Sequence, residues 1–137
     1  MTLFVDTSVL YAVADRTDRA NAAAKAILVS GEDLLTSDHV LVESWRLIQQ
    51  RLGHRAADAF WAGIRRGSLE LEIVGPADLD AAWAIGESFQ DQAFSIVDRT
   101  SFALMLRLGI HRVASFDKDF AVFRFGPRRE RAFEIIR

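Results

Sequence analysis

The chain has 137 residues, half of them hydrophobic, which is enough for one domain with a substantial core. It contains no cysteine, which excludes disulfides, thiolate zinc sites and cysteine nucleophiles, and no run approaches the roughly 18 apolar residues of a membrane span. The formal net charge of −2 indicates no general affinity for nucleic acid. We therefore expect a cytoplasmic protein without a signal peptide or a membrane segment.

Strand-like and helical patterns alternate along the chain. The predicted strands cover residues 2–5, 33–36, 69–74, 111–115 and 132–136. The predicted helices cover residues 9–13, 18–28, 38–52, 55–66, 76–89 and 96–108. Because no hairpin pattern intervenes, we predict a three-layer α/β/α sandwich around a central, mostly parallel sheet of four to five strands. No linker or repeat divides the sequence, so residues 1–137 are expected to form a single domain.

Polar caps and glycines mark the ends of two long helices. Ser37 and Ser95 are typical N-cap residues, and Gly53 and Gly109 follow the last turns. The second of these helices is apolar almost all round over residues 102–108. We therefore expect other elements to cover both of its sides.

Hydrophobic residues also predict which faces are buried. We expect Phe60, Trp61 and Ile64 to face the interior from the helix at 55–66. The strand at 69–74 is expected to be a half-exposed edge, because glutamates alternate with apolar residues along it. The ten phenylalanines and three tryptophans exceed what one small core holds comfortably. We expect the excess to form the symmetric interface of a homodimer.

Four acidic residues lie at the junctions of elements or on a buried stripe. Asp6 follows the first predicted strand, and Asp117 follows the fourth. Asp98 lies in the first turn of the last helix, and Glu43 shares an apolar helical stripe, where an unpaired carboxylate is costly. The carboxyl ends of parallel strands lie along one edge of a sheet, so these four acids can converge there.

Two of the acids also have a purely structural interpretation. Asp6 can cap the helix that follows it, and Ser95 with Asp98 fits a capping box. If the acids converge instead, a site of hard oxygen ligands selects Mg²⁺ or Mn²⁺ over zinc. The three histidines are scattered without ligand spacing. The residue pattern alone thus allows a Mg²⁺ site in an α/β domain.

Four segments, in chain order, resemble the motifs of PIN-domain nucleases. They are Val5-Asp6-Thr7-Ser8, Val42-Glu43, Ser95-Ile96-Val97-Asp98-Arg99-Thr100-Ser101-Phe102-Ala103-Leu104-Met105 and Ser115-Phe116-Asp117-Lys118-Asp119-Phe120. The third is similar to the form found in VapC-type toxins. The resemblance covers essentially the whole chain.

This resemblance implies a Mg²⁺- or Mn²⁺-dependent endoribonuclease, the toxin of a type II toxin–antitoxin pair, which cleaves RNA with a metal-activated water. The catalytic acids and metal ligands that it implies are Asp6, Glu43, Asp98 and Asp117. Asp119 is a second candidate for the fourth acid, and hydroxyls of Thr7 or Ser8 and of Ser115 would orient carboxylates or waters. The resemblance also implies a homodimer and a small antitoxin whose C-terminal tail fills the active-site groove.

Charge points to RNA contacts independently of the resemblance. All of the 17 basic residues except Lys25 and Lys118 are arginines, whose guanidinium suits bidentate contact with phosphate. We therefore interpret Arg99 and the arginines near the C-terminus as phosphate contacts, with a solvated surface as the alternative interpretation.

Two other functions fit the same pattern of acids. A phosphatase of the haloacid dehalogenase type also places an aspartate after its first strand, but needs a second aspartate two residues later, where this chain has Ser8. A non-catalytic RNA- or protein-binding module on the same fold would not need all four acids. Cleavage of RNA with and without EDTA separates these functions.

Overall fold

The computed structural model describes every residue from Met1 to Arg137. The strands are β1 (Thr2–Val5), β2 (Asp33–Ser37), β3 (Glu70–Glu72), β4 (Arg112–Ala114) and β5 (Glu134–Ile136). The helices are α1 (Thr7–Ala14), α2 (Asn21–Leu28), α3 (Asp38–Leu52), α4 (His54–Arg66), α5 (Pro76–Ser88), α6 (Ile96–Leu108) and α7 (Asp119–Val122). None of these helices combines the length and the apolar character that crossing a membrane requires.

The five strands form one parallel sheet in the order β3-β2-β1-β4-β5, with β1 at its centre. Leu3, Phe4 and Val5 point alternately to the two faces of the sheet, and all three are buried. Both faces of the sheet are therefore covered, as the apolar run of β1 requires. The predicted α/β sandwich with a parallel central sheet is confirmed.

Polar residues gather at the carboxyl edge of this sheet. Asp6 follows β1, Ser37 ends β2 and Ser115 follows β4, and all three are buried. The hydroxyl of Ser37 accepts a hydrogen bond from the backbone N–H of Val40 at 3.0 Å, which confirms the predicted N-cap of α3. Open α/β sheets place their ligand sites at this edge.

Helix α6 has the ends predicted from its sequence. Ser95 is its N-cap, and Gly109 follows it with a left-handed φ of 68°. Residues 100–105 are all buried, and Phe102 stacks on Phe123 with ring centroids 4.3 Å apart. The last turn is more open, because Arg107 and Leu108 face solvent.

The aromatic residues that are buried and those that are exposed differ from the prediction. All ten phenylalanine side chains are buried or partly buried, so the core holds more of them than expected. Trp61 was predicted to face the interior, and this is wrong, because it is 48% exposed. Phe60 and Ile64, four residues apart, take the inward face of α4, and Trp61 lies about 100° around the helix from Phe60.

Several element boundaries differ from the prediction, and for α2 and β3 the structure gives the physical reason. Helix α2 begins at Asn21 rather than Asp18, because the Asp18 carboxylate accepts a hydrogen bond from the backbone N–H of Ala20 at 2.8 Å and holds a turn. Strand β3 is shorter than predicted, since its partner β2 ends at Ser37 and leaves nothing to pair beyond Glu72. The predicted edge position of β3 is confirmed.

Candidate metal centre

Three carboxylates meet at the carboxyl edge of the sheet, and we call them the three-acid group. Asp98 comes from the first turn of α6, and Asp117 and Asp119 come from the segment that follows β4. One carboxylate oxygen from each residue lies within 4.8 Å of the others. The crossover connections of a parallel sheet thus bring together acids from segments far apart in the chain.

Asp98 has two roles in this geometry. Its carboxylate accepts a hydrogen bond from the backbone N–H of Ser95 at 3.1 Å, while the Ser95 hydroxyl accepts one from the Asp98 N–H at 3.0 Å. The predicted capping box is therefore present. Burial and a hydrogen bond to Asp119, together with the charges of Asp119 and Asp6, raise the pKa of Asp98 to about 7.

Asp117 and Asp119 are held by a tight turn. The backbone N–H of Asp119 donates to Oδ1 of Asp117 at 3.0 Å, and the backbone N–H of Asp117 donates to the hydroxyl of Ser115 at 3.0 Å. Asp119 is the first residue of α7, a short helix that the sequence analysis did not predict. The sequence offered Asp117 and Asp119 as alternatives, and the structure places both beside Asp98.

Asp6 lies close enough to Asp98 for its charge to raise the pKa of Asp98, and it is held in a network of hydroxyls. Its Oδ2 accepts hydrogen bonds from the hydroxyls of Ser8 and Ser115, each at 2.9 Å. Burial raises the pKa of Asp6, and these hydrogen bonds offset part of that effect. The sequence left Thr7 and Ser8 as alternative partners; Ser8 makes the contact, whereas the buried Thr7 hydroxyl has no partner within the chain.

Glu43 does not belong to the three-acid group. It lies partly buried on α3, one turn after His39. His39 Nδ1 is 3.3 Å from the hydroxyl of Thr100 on α6, so α3 and α6 are in contact near the start of both helices. The part that Glu43 takes in the site remains a prediction.

No cation of the chain neutralises these acids. The arginine ion pairs join Arg107 to Glu72 and Asp78, and Arg112 to Glu32 and Glu134, all elsewhere in the molecule. A group of like charges with only oxygen donors, and with one carboxyl kept partly protonated near neutrality, fits a hard divalent cation such as Mg²⁺ or Mn²⁺. The donor set does not suit zinc, because it contains neither histidine nor cysteine.

The fold and the acidic edge define a PIN domain. A family model described as "PIN domain" matches residues 3–126, and the chain belongs to this family. Within it, the chain is 38% identical over 125 residues to the 23S rRNA-specific endonuclease VapC20 of Mycobacterium tuberculosis, covering 90% of this chain and 95% of the relative. It is 29% identical over 117 residues to ribonuclease VapC26 of the same species, covering 85% of this chain and 87% of the relative. The predicted VapC-type resemblance is confirmed.

Solved structures agree with this assignment. The crystal structure of M. tuberculosis VapC20, described as a sarcin–ricin loop cleaving toxin, matches with a TM-score of 0.81 and 37% identity over 88% of this chain and 93% of that chain. VapBC2 from Rickettsia felis, bound to a promoter DNA fragment, matches with a TM-score of 0.69 and 9% identity over 99% and 98% of the two chains. At that identity the second match shows the fold alone.

Proposed function

We propose that the chain is a Mg²⁺- or Mn²⁺-dependent endoribonuclease and the toxin of a type II toxin–antitoxin pair, acting in the cytoplasm as one domain over residues 1–137. The three-acid group, which no cation of the chain neutralises, is the observation that carries the proposal. The similarity to a 23S rRNA-specific endonuclease along nearly the whole chain supports it and favours ribosomal RNA as the substrate.

The residues that would hold the ion are Asp98, Asp117 and Asp119 together with Asp6, with Glu43 joining directly or through a water. When bound, such an ion lowers the pKa of a coordinated water and offsets charge on a phosphodiester. Ser8 and Ser115 orient Asp6, and the capping box orients Asp98. Hydrogen bonds of this kind hold carboxylates in the orientation that a metal ion requires and increase the affinity of the site for the ion.

A metal-dependent cleavage assay tests the proposal. Purified protein is incubated with ribosomal RNA in Mg²⁺, in Mn²⁺ and in EDTA, and products are resolved by sequencing gel. We expect defined fragments with either metal and none in EDTA. RNA that stays intact in every condition would favour a non-catalytic binding module, and release of phosphate from a small phosphomonoester without RNA cleavage would favour a phosphatase.

An apolar groove offers a surface for the antitoxin. It has a volume of about 600 Å³ and lies between α1, α4 and the sheet. Its apolar lining includes Leu10, Val13, Phe60, Ile64 and Leu69. The proposed function implies an antitoxin partner, and an exposed apolar groove is a surface that such a partner covers. We infer that an apolar segment of the antitoxin lies in this groove.

The antitoxin is also expected to place a basic side chain in the acidic site. An arginine there would pair with carboxylates that lack a cation, and such pairs are strong when they are desolvated. Antitoxin binding and Mn²⁺ binding should therefore compete, which titration calorimetry with and without saturating Mn²⁺ measures. A complex structure in which the antitoxin leaves the three-acid group free would contradict this prediction.

We expect a homodimer that forms through the β3 edge. Leu71 is 42% exposed on this edge strand and Ile73, just after it, is 65% exposed, so the edge presents apolar side chains beside unpaired backbone groups. Light scattering at micromolar concentration should give twice the monomer mass, and Ile73→Glu should reduce it to the monomer. Val29→Glu, at a residue that is 82% exposed after α2, is the matched control. A monomeric wild type would contradict the prediction.

A further inference from the structure

A second cleft lies between α5 and the first turn of α6, the turn that also carries Asp98. It has a volume of about 240 Å³. Its lining residues, which define the Arg99 cleft, are Trp83, Gly86, Glu87, Gln90 and Arg99. Arg99 directly follows Asp98 in the first turn of α6. Consecutive helical residues point about 100° apart, so one turn presents a carboxylate to the acids and a guanidinium to α5.

Gly86 makes room for the guanidinium of Arg99. A Cβ at Gly86 would overlap Nη1 of Arg99 and would lie 3.1 Å from its Cζ. The backbone of Gly86 is helical, so no unusual torsion angle calls for glycine at this position. The absence of a side chain at Gly86 leaves the space that the guanidinium of Arg99 occupies.

The positive charge of Arg99 has no carboxylate partner within the chain. Arg99 forms no ion pair, and the one hydrogen bond from its guanidinium runs from Nε to the backbone oxygen of Ser95, at 3.4 Å. A cation in the first turn of a helix is also opposed by the helix dipole, which favours anions there. Stability of α6 therefore does not explain an arginine at this position, whereas an external anion would.

Trp83 adds an aromatic surface to the same cleft. Its side chain is 70% exposed, although an indole is among the side chains that most favour burial. Exposed aromatic rings next to a cation are typical of proteins that bind unpaired nucleotides, where bases stack on the rings and arginine binds the backbone.

We propose that the Arg99 cleft binds the RNA strand beside the bond that is cut. The guanidinium of Arg99 binds a phosphate next to the scissile one, and the indole of Trp83 stacks on an unpaired base. This inference rests on the proposed function and adds a substrate subsite to it. Glu87 lies in the same cleft and repels the strand, so it limits the affinity of the subsite.

Binding of a fluorescein-labelled hairpin with the sarcin–ricin loop sequence tests the subsite. Anisotropy in EDTA gives the affinity over a range of salt concentrations, and KM and kcat come from cleavage of the same hairpin in Mg²⁺. Arg99→Gln should reduce the slope of log affinity against log salt by about 0.7, the loss of one phosphate contact. Trp83→Ala should weaken binding about tenfold, in keeping with the loss of one stacked base.

The substitution Glu87→Gln is expected to change RNA affinity in the opposite direction from Arg99→Gln and Trp83→Ala. It therefore distinguishes a role of the cleft in RNA binding from a role in folding. Removing the negative charge should tighten binding and lower KM, which a merely structural role of the cleft would not produce. The matched controls are Arg65→Gln and Trp61→Ala, both at exposed residues of α4. These controls should bind the hairpin as the wild type does.

The outcomes separate the two proposals. If the wild type cleaves the hairpin but the three cleft variants match the controls in salt slope and KM, the subsite is wrong and the proposed function stands. If Trp83→Ala changes only the mass by light scattering, the indole belongs to an interface between copies, which also overturns the subsite. A wild type that neither binds nor cleaves RNA overturns the proposed function itself.

Discussion

RNA cleavage by Asp98→Asn is expected to fall by at least about a hundredfold, and cleavage by Asp6→Asn by a similar factor, with the fold intact. Loss of groups that only orient metal ligands costs about 10- to 100-fold, and removal of a charged ligand should cost at least as much. Asparagine keeps the volume of aspartate, so packing should change little. Initial cleavage rates in Mg²⁺, with circular dichroism to check folding, measure the effect.

The control for this experiment is Asp80→Asn, because Asp80 is an exposed aspartate on α5 that forms no ion pair. Its cleavage rate should equal that of the wild type. If a folded Asp98→Asn or Asp6→Asn protein keeps the wild-type rate, that residue is not part of the catalytic site.

The same assay assigns the fourth acid. Asp119 has the hydrogen bond to Asp98, whereas Asp117 accepts a backbone hydrogen bond and holds the turn. We therefore expect Asp119→Asn to lose at least as much activity as Asp117→Asn. The reverse order would make Asp117 the principal ligand, as the motif comparison in the sequence suggested.

In EDTA, the unfolding free energy of the wild type is expected to fall by about 2 kcal/mol more than that of Asp98→Asn between about pH 5 and about pH 8. The cause is burial of Asp98 together with its hydrogen bond to Asp119, which raise its pKa from 3.8 to about 7. Urea unfolding at each pH measures the loss. Comparing the two proteins removes the contribution of the other titrating groups.

The sign follows from proton binding. Between the unfolded pKa near 3.8 and the folded pKa near 7, the folded protein holds a proton on Asp98 that the unfolded chain has released. The unfolded state therefore binds fewer protons, and stability falls as the pH rises through this range. The fall is complete once the pH exceeds the folded value.

Mg²⁺ should reverse this loss in the wild type. An ion that binds the folded acids and not the unfolded chain stabilises by about 2.7 kcal/mol at a hundred times its dissociation constant. Asp98→Asn should be more stable than the wild type without metal at about pH 8, and should gain little from Mg²⁺. A less stable Asp98→Asn protein under those conditions would mean that the cap at Ser95 outweighs the repulsion between the acids.

The parts of the fold that depend on near neighbours can be predicted from the amino-acid sequence. Ser37 and Ser95 were identified as N-caps and Gly109 as the residue after α6, because a cap acts on backbone groups within three or four residues. The buried run of β1 indicated a central parallel strand for a similarly local reason, since apolar side chains on consecutive residues demand cover on both faces of a sheet.

Contacts between side chains that are far apart in the chain depend on tertiary packing and cannot be predicted from local sequence. Asp98 and Asp119 are 21 residues apart, and their contact depends on how α6 returns the chain to β4. Hydrophobicity likewise does not predict that Trp61 and Trp83 are exposed. A helix has one inward face, and only some of its apolar residues can lie on that face. The contact between Arg99 and Gly86 joins α6 to α5, so neither segment of the sequence alone predicts it. Local sequence allows several directions for each of these side chains, and tertiary packing selects one of them. The geometry of the acidic site and of the Arg99 cleft depends on that selection.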